Sequence, residues 1–168
     1  MHKLTSPLPD MDGMLRWTAQ QKFQTALDMK SAYEQIQIVP EHVSRSTVTT
    51  PDGNMVSQVI QIGDCNAPAT YQALMNHLFS PYISRFMNIY LDYIVIYSNS
   101  LEEHVMHVKL VLDILEREKL YFSRSKLQFI KPMLKVLGRI IDDQGIRMDQ
   151  DKVDSVLNWK VPMNHDLL

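Results

Sequence analysis

Two acidic residues stand where a carboxylate is costly. Asp28 falls near the end of the alternating run FQTALDM (23–29), and Asp92 lies between the apolar runs FMNIYL (86–91) and IVIYS (94–98). An acid beside buried strands must be hydrated, hydrogen-bonded or bound to a cation. Brought together from neighbouring strands, the two would make an oxygen-rich site suited to Mg²⁺, which takes one or two carboxylates and completes its shell with water and phosphate oxygens. Pattern alone leaves a second reading open, in which Asp92 makes a turn and Asp28 caps the helical turn after it.

Other reactive side chains point to less. His104 and His107 are three apart, a spacing that could hold zinc. No cysteine or second histidine pair is placed to complete a tetrahedral site, so both read as surface histidines. Cys65 follows Asp64 near a helix start without a histidine nearby in sequence, which gives no nucleophile pattern. The eleven methionines read as core filling. Neither a Walker-type glycine loop nor G-x-S-x-G is found.

The elements that must position the acids follow from periodicity. Residues 23–29 read as a half-buried strand, followed by a helical turn, SAYEQI, that Pro40 ends. STVTT (46–50) and MVSQVIQI (55–62) read as a hairpin around Pro51-Asp52-Gly53-Asn54. Asn66 caps a helix with Pro68 in its first turn and Tyr71, Leu74, Met75 and Leu78 on one face. The runs 86–91 and 94–98 are joined only by Asp92-Tyr93, a tight hairpin with Asp92 at its tip. Ser100 and Glu103 form a capping box for a helix with Leu101, Val105, Val108, Leu112 and Leu115 inward. A strand, LKVLGRII (134–141), turns at Asp142-Asp143-Gln144-Gly145. A last helix carries Val153, Val156, Leu157 and Trp159 and is closed by Pro162. Tight hairpins imply antiparallel pairing, so the fold class is α+β, with helices packed on one face of a sheet.

Composition agrees with one globular domain of 168 residues. A single cysteine excludes an internal disulfide and suits an intracellular setting, cytoplasm or nucleus. The start MHKLTSPLPD lacks the apolar core of a secretion signal. The longest uncharged run, Cys65 to Ser84, holds Asn66, Gln72, Asn76 and His77 and is too polar to span a bilayer, so no membrane partner is expected. Net charge is −2, unevenly spread: residues 104–140 carry eight bases against three acids. That stretch reads either as a phosphate-binding surface or as a solvated helix with its loop.

LDMKSAYEQI (27–36), NAPATYQALMNHLF (66–79), YLDYIVIYS (90–98), EEHVMHVKLVLDIL (102–115) and LGRIIDDQGIRMDQDKVDSVLNW (137–159) occur in this order. Together they resemble the reverse transcriptase domain of gypsy-type LTR retrotransposons, especially those of fungi, over nearly the whole chain. The resemblance implies a right-hand polymerase palm, an antiparallel sheet backed by helices, with part of the fingers. It implies RNA-directed DNA polymerisation by two-metal nucleotidyl transfer, with Mg²⁺ or Mn²⁺ as cofactor and an RNA or DNA template-primer and dNTPs as partners. Asp28 and Asp92 match metal-binding aspartates. The backbone amides of Ser31 and Ala32 match the pair that meets the triphosphate, and Tyr33 matches the ring that excludes a 2′-hydroxyl. Gly63, Asn66, Ala67 and Pro68 match the segment supporting template and nucleotide. Tyr90, Leu91 and Asp92 match the start of the Tyr-x-Asp-Asp hairpin, and Leu137, Gly138 and Arg139 the turn that grips the primer end.

Two positions depart from the family. Tyr93 replaces the second hairpin aspartate, and Ile62 stands where related elements carry a glutamine. A neutral phenol is a poor Mg²⁺ ligand, so a loss of at least ~10²–10³ in rate is expected. Against the resemblance the chain reads as a remnant cut at both ends, lacking upstream fingers, thumb, RNase H, protease and integrase segments. Alternatives of other classes are a non-catalytic nucleic-acid binder using residues 104–140, and a host-adopted fold that self-associates through exposed palm surface.

Overall fold

The computed structural model describes residues 8–131, 133–142 and 144–159. Its elements are α1 (Met11–Ala19), β1 (Phe23–Asp28), β2 (Val48–Thr50), β3 (Gly53–Met55), α2 (Ala67–Phe79), β4 (Met87–Tyr90), β5 (Tyr93–Ser98), α3 (Leu101–Arg117), β6 (Leu134–Val136), β7 (Arg139–Asp142), β8 (Gly145–Met148) and α4 (Gln150–Leu157). Three antiparallel sheets result, ordered β1-β5-β4, β2-β3 and β6-β7-β8. The expected α+β class holds.

The central sheet is covered on both faces, not one. Leu27, Ile89, Ile94 and Ile96 pack against Tyr71, Met75 and Phe79 of α2 and Val108, Val111 and Leu115 of α3. On the opposite face Ala26 and Val95 meet Met14 and Leu15 of α1 and Leu134, Val136 and Ile141 of the β6-β7-β8 sheet. β1 is therefore buried at five of its six positions rather than half-buried. Its polar residues tolerate this because they are paired: Gln24 Nε2 donates to Thr18 O at 2.8 Å and Gln21 O at 3.0 Å.

Several boundaries differ from the sequence reading. The second arm of the early hairpin ends at Met55, and residues 58–60 pair instead with 36–38 through Ile38 N–H to Gln58 O (2.8 Å) and Ile60 N–H to Ile36 O (3.0 Å). Pro40 opens a 3-10 turn over Pro40–Ser46. LKVLGRII is not one strand: it breaks at Leu137-Gly138, both at positive φ (52° and 75°), into the β6–β7 hairpin. On α2 the inward face runs through Tyr71, Gln72, Met75 and Phe79, with Leu74 outside the fully buried set. α4 ends at Leu157 and leaves Val156, Leu157 and Trp159 exposed. Pro162 and Asp143 lie outside the described residues.

α3 begins as expected, with Ser100 Oγ accepting Glu103 N–H, but its inward face is turned. His104, Val108, Val111, Ile114 and Leu115 are buried, while Leu101 and Val105 are half exposed. The cause is His104, which is fully buried rather than at the surface. Thr25 Oγ1 accepts Ile130 N–H at 3.2 Å and shares a hydrogen bond with His104 Nε2 at 2.8 Å. Ser98 Oγ shares hydrogen bonds with His104 Nδ1 at 3.0 Å and with His107 Nδ1 at 2.8 Å. His107 stacks on Phe86 at 3.9 Å between ring centroids.

Burial, reinforced by His107, pushes the His104 imidazole down to about 4. Unfolding returns it to its ordinary value near 6.5, so between those values the unfolded chain binds more protons. Stability is thus expected to be full above pH ~6.5 and to fall by up to about 1.4 kcal/mol per pH unit toward pH 4. Urea unfolding from pH 7.5 to 4.5 reads this, and the slope should shrink in His104→Gln; equal slopes in both proteins would refute it.

Candidate active site

Asp28 is the last residue of β1, where the strand register sets it directly opposite Tyr93, the first residue of β5. Its side chain is only 8% exposed. The segment 121–128 runs along the free edge of β1 and pairs with it on both sides of Asp28. Ser123 N–H donates to Asp28 O (2.7 Å), while Ala26 and Gln128 exchange hydrogen bonds at 2.9 and 3.0 Å. This pairing delivers Lys126, whose ammonium meets both Asp28 carboxylate oxygens at 3.2 and 3.3 Å.

Asp92 reaches the same place from the β4–β5 hairpin. Tyr90 pairs with Tyr93, so the two-residue turn is Leu91-Asp92, one residue earlier than the sequence suggested, and Tyr93 belongs to the strand. Met29 N–H donates to Asp92 O at 2.8 Å, which ties the turn to the end of β1. Burial raises the Asp92 carboxyl and its own backbone hydrogen bond offsets this in part; Asp28 adds to the rise and Lys126 opposes it. The two acids therefore feel each other.

Tyr93 is neutral and engaged. Its hydroxyl is pushed up first by burial, then by the charges of Asp28 and Asp92. Its ring packs with Tyr90 and Leu137 against the cluster around Ala26 and Val95. A phenol held neutral beside Asp28 is not a third anionic ligand.

The turn after β1 brings a second aromatic. Ser31 adopts a left-handed conformation (φ 44°) and starts the 3-10 turn Ala32–Gln35. Gln35 locks this turn to the 121–128 segment, donating from Nε2 to Tyr121 O at 2.9 Å and accepting Tyr121 N–H at 2.6 Å. Tyr33 stands edge-on to Tyr71 at 5.7 Å, and burial followed by Asp92 raises its hydroxyl. The Tyr71 hydroxyl is raised by burial, Asp92 and Tyr33, and has no hydrogen-bond partner among the described residues. Beside these groups lie two clefts that share Ser125. One of about 380 Å³ is lined by Asp28, Tyr93, Lys126 and Lys135, and one of about 680 Å³ by Lys30, Ser31, Glu34 and Arg124.

Not every expected residue joins the cluster. Ile62 is 75% exposed and Gly63 (φ 103°) lies on the same exposed loop ahead of α2, whose first turn carries Asn66 at the N-cap position and Pro68. Gly138 lies in the β6–β7 turn, where Arg139 forms an ion pair with Asp12 of α1 at 3.5 Å. Two residues that sequence reasoning passed over belong to the site. Lys126 carries no local signal, since its partner is 98 positions away. Gln72, fully buried on α2, accepts Leu91 N–H at 2.9 Å and donates to Ile89 O at 3.4 Å, so it holds the turn that bears Asp92.

Among the described residues no group of three or more His, Cys, Asp and Glu is placed to hold a metal ion. The donor set that is present, two mutually repelling carboxylates, fits one hard divalent cation whose remaining positions go to water and phosphate oxygens. It supplies no third carboxylate for a second cation.

A small antiparallel sheet that bears two acids at one end and is backed by helices is the palm-like α+β architecture of polymerases. The model of the family described as "Reverse transcriptase (RNA-dependent DNA polymerase)" matches residues 1–141, and the chain belongs to that family. It is 31% identical over 156 residues to the retrovirus-related Pol polyprotein from transposon 297 of Drosophila melanogaster, covering 93% of this chain and 15% of that protein. It is 32% identical over 158 residues to the transposon Tf2-3 polyprotein of Schizosaccharomyces pombe, covering 94% of this chain and 12% of that protein. The chain thus spans a small part of these relatives' length. Its fold is that of a foamy viral protease-reverse transcriptase solved with an RNA/DNA hybrid (TM-score 0.83, 21% identity, 95% of this chain and 21% of that one). A form of that enzyme solved with double-stranded DNA agrees as well (TM-score 0.84, 19% identity, 98% and 29%). Among the described residues no helix is long and apolar enough to cross a membrane.

Proposed function

We propose that this chain is the palm, with part of the fingers, of an RNA-directed DNA polymerase from a gypsy-type LTR retrotransposon, and that Tyr93 has impaired its nucleotidyl transfer. The observation that carries the reading is the convergence of Asp28, from the end of β1, and Asp92, from the β4–β5 turn, at one end of the central sheet. A divalent cation bound there, Mg²⁺ or Mn²⁺, would neutralise phosphate charge and lower the cost of ionising a primer 3′-hydroxyl. The chain's own part is positioning. Asp28 and Asp92 hold the cation, the Ser31-Ala32 backbone faces the triphosphate, and the Tyr33 ring takes the space of a ribose 2′-hydroxyl. Asn66 and Pro68 support the template, while Tyr90 and the Leu137–Arg139 turn face the primer end. With Tyr93 neutral, one anionic ligand is lost.

The reading as a passive nucleic-acid binder draws less support. Of the bases in 104–140, Arg117, Lys126, Lys135 and Arg139 are already paired with Glu118, Asp28, Asp149 with Asp151, and Asp12. Self-association would draw on exposed Val156, Leu157 and Trp159. An intracellular location, cytoplasm or nucleus, belongs to the same proposal.

Primer extension on an RNA template, with Mg²⁺ and Mn²⁺ tested separately, is the direct test. Slow extension that disappears in Asp28→Ala is the expected result. Extension equal in both proteins would reject Asp28 as a ligand, and no extension by a chain folded by circular dichroism would reject residual catalysis.

A further inference from the structure

Asp28 is a buried carboxylate, and a buried carboxylate needs a counter-charge. Lys126 supplies it. Its ammonium spans both oxygens at 3.2 and 3.3 Å, and Tyr93 stands opposite Asp28 in the strand register. The contact is built in, because the 3-10 turn Arg124–Lys126 is fastened to β1 by Ser123 on one side and Gln128 on the other. The two partners are nevertheless unequal. Asp28 is 8% exposed and fixed in a strand, whereas the Lys126 side chain is 65% exposed, so it can swing into water without unfolding anything.

We infer that Lys126 is an internal counter-ion of Asp28 that occupies the carboxylate for most of the metal-free time and must leave for a divalent cation to enter. This rests on the metal-site reading proposed above. The ammonium and a divalent cation need the same oxygens and repel each other, so binding of one excludes the other. A site whose competent form is populated only in part binds its ligand more weakly by that fraction. Engagement of Lys126 for about nine-tenths of the time would weaken metal binding about tenfold. The same contact explains how the acid pair is tolerated with no metal: the lysine keeps Asp28 satisfied, and the neutral Tyr93 adds no charge.

Mn²⁺ uptake, followed by loss of the free-ion electron paramagnetic resonance signal, tests the inference without reference to catalysis. The proteins are the unchanged chain, Lys126→Met, Lys126→Arg and Asp28→Asn, each also melted with and without Mn²⁺. Lys126→Met should bind Mn²⁺ about tenfold more tightly than the unchanged chain. Its melting temperature should be lower without metal and should rise further with Mn²⁺. Lys126→Arg keeps the charge, so it should bind as weakly as the unchanged chain; tight binding by this variant would overturn the inference even where Lys126→Met fails to fold. Equal affinity in Lys126→Met and the unchanged chain, lost in Asp28→Asn, would overturn the role of Lys126 and leave the metal site standing. Uptake that is indifferent to Asp28→Asn, or absent from folded Lys126→Met, would overturn both.

Discussion

Tyr93→Asp is expected to raise the rate of single-nucleotide extension by about 10²–10³, the size of the effect of one transition-state charge stabiliser. Position 93 faces Asp28 across the β1–β5 ladder and follows Asp92 directly, so an aspartate there brings a third carboxylate to the two already present. The same change should weaken the fold in the absence of metal. The Tyr93 ring packs against the cluster that holds Ala26 and Val95, and that packing is lost. A third acid also joins a pair in which Asp92 is already raised by burial and by Asp28. A loss of ~2–4 kcal/mol is expected without divalent ions, with recovery on adding Mg²⁺. Tyr93→Phe separates the terms, since it keeps the ring, removes the hydroxyl and should restore no activity. Recovery of stability by Mg²⁺ without any gain in extension would mean that the substitution completes a metal site but not a polymerase.

The sequence made the acids visible because each sits against apolar runs, and apolar runs are what pattern reading detects. It placed the hairpin one residue late for a physical reason. Leu91 takes φ 51°, a conformation usually signalled by Gly or Asn, and a leucine gives no such signal. The β6–β7 turn does carry a Gly, Gly138, but the apolar run 134–141 read through it as one strand, and only the family resemblance marked a turn there. The turned face of α3 has another origin. Periodicity counts Leu101 and Val105 as inward and His104 as outward, yet His104 is paired by Thr25 and Ser98 and goes inside. Gln72 repeats this on α2. A polar residue whose partners lie far along the chain looks like surface until the fold brings those partners to it. Lys126 stays at the surface, but its pairing with Asp28, 98 positions away, is likewise hidden from pattern reading.

Gln72→Leu is expected to loosen the hairpin that carries Asp92 without disturbing the sheet beneath it. The leucine fills similar space but leaves Leu91 N–H and Ile89 C=O without their side-chain partner in a buried setting, at a cost of ~2 kcal/mol. Leu91 is also the residue held at positive φ, so the bond to Gln72 restrains the one strained position of the turn. Gln72→Glu should be worse near neutral pH: it keeps an acceptor for Leu91 N–H, gives up the donor to Ile89 O, and adds a buried charge on the hairpin side of α2. Hydrogen exchange gives the local readout. The Leu91 amide should exchange about thirtyfold faster in Gln72→Leu, the factor matching ~2 kcal/mol, while the amide of Ile94 in β5 changes little. Unaltered exchange at Leu91 would show that the sheet register alone sets the turn. Faster exchange would make Gln72 the residue that converts helix packing into the placement of Asp92. A displacement of about 1 Å is enough to cost about 10² in rate where reacting groups must be aligned, so this buried amide would then govern the site without touching a substrate.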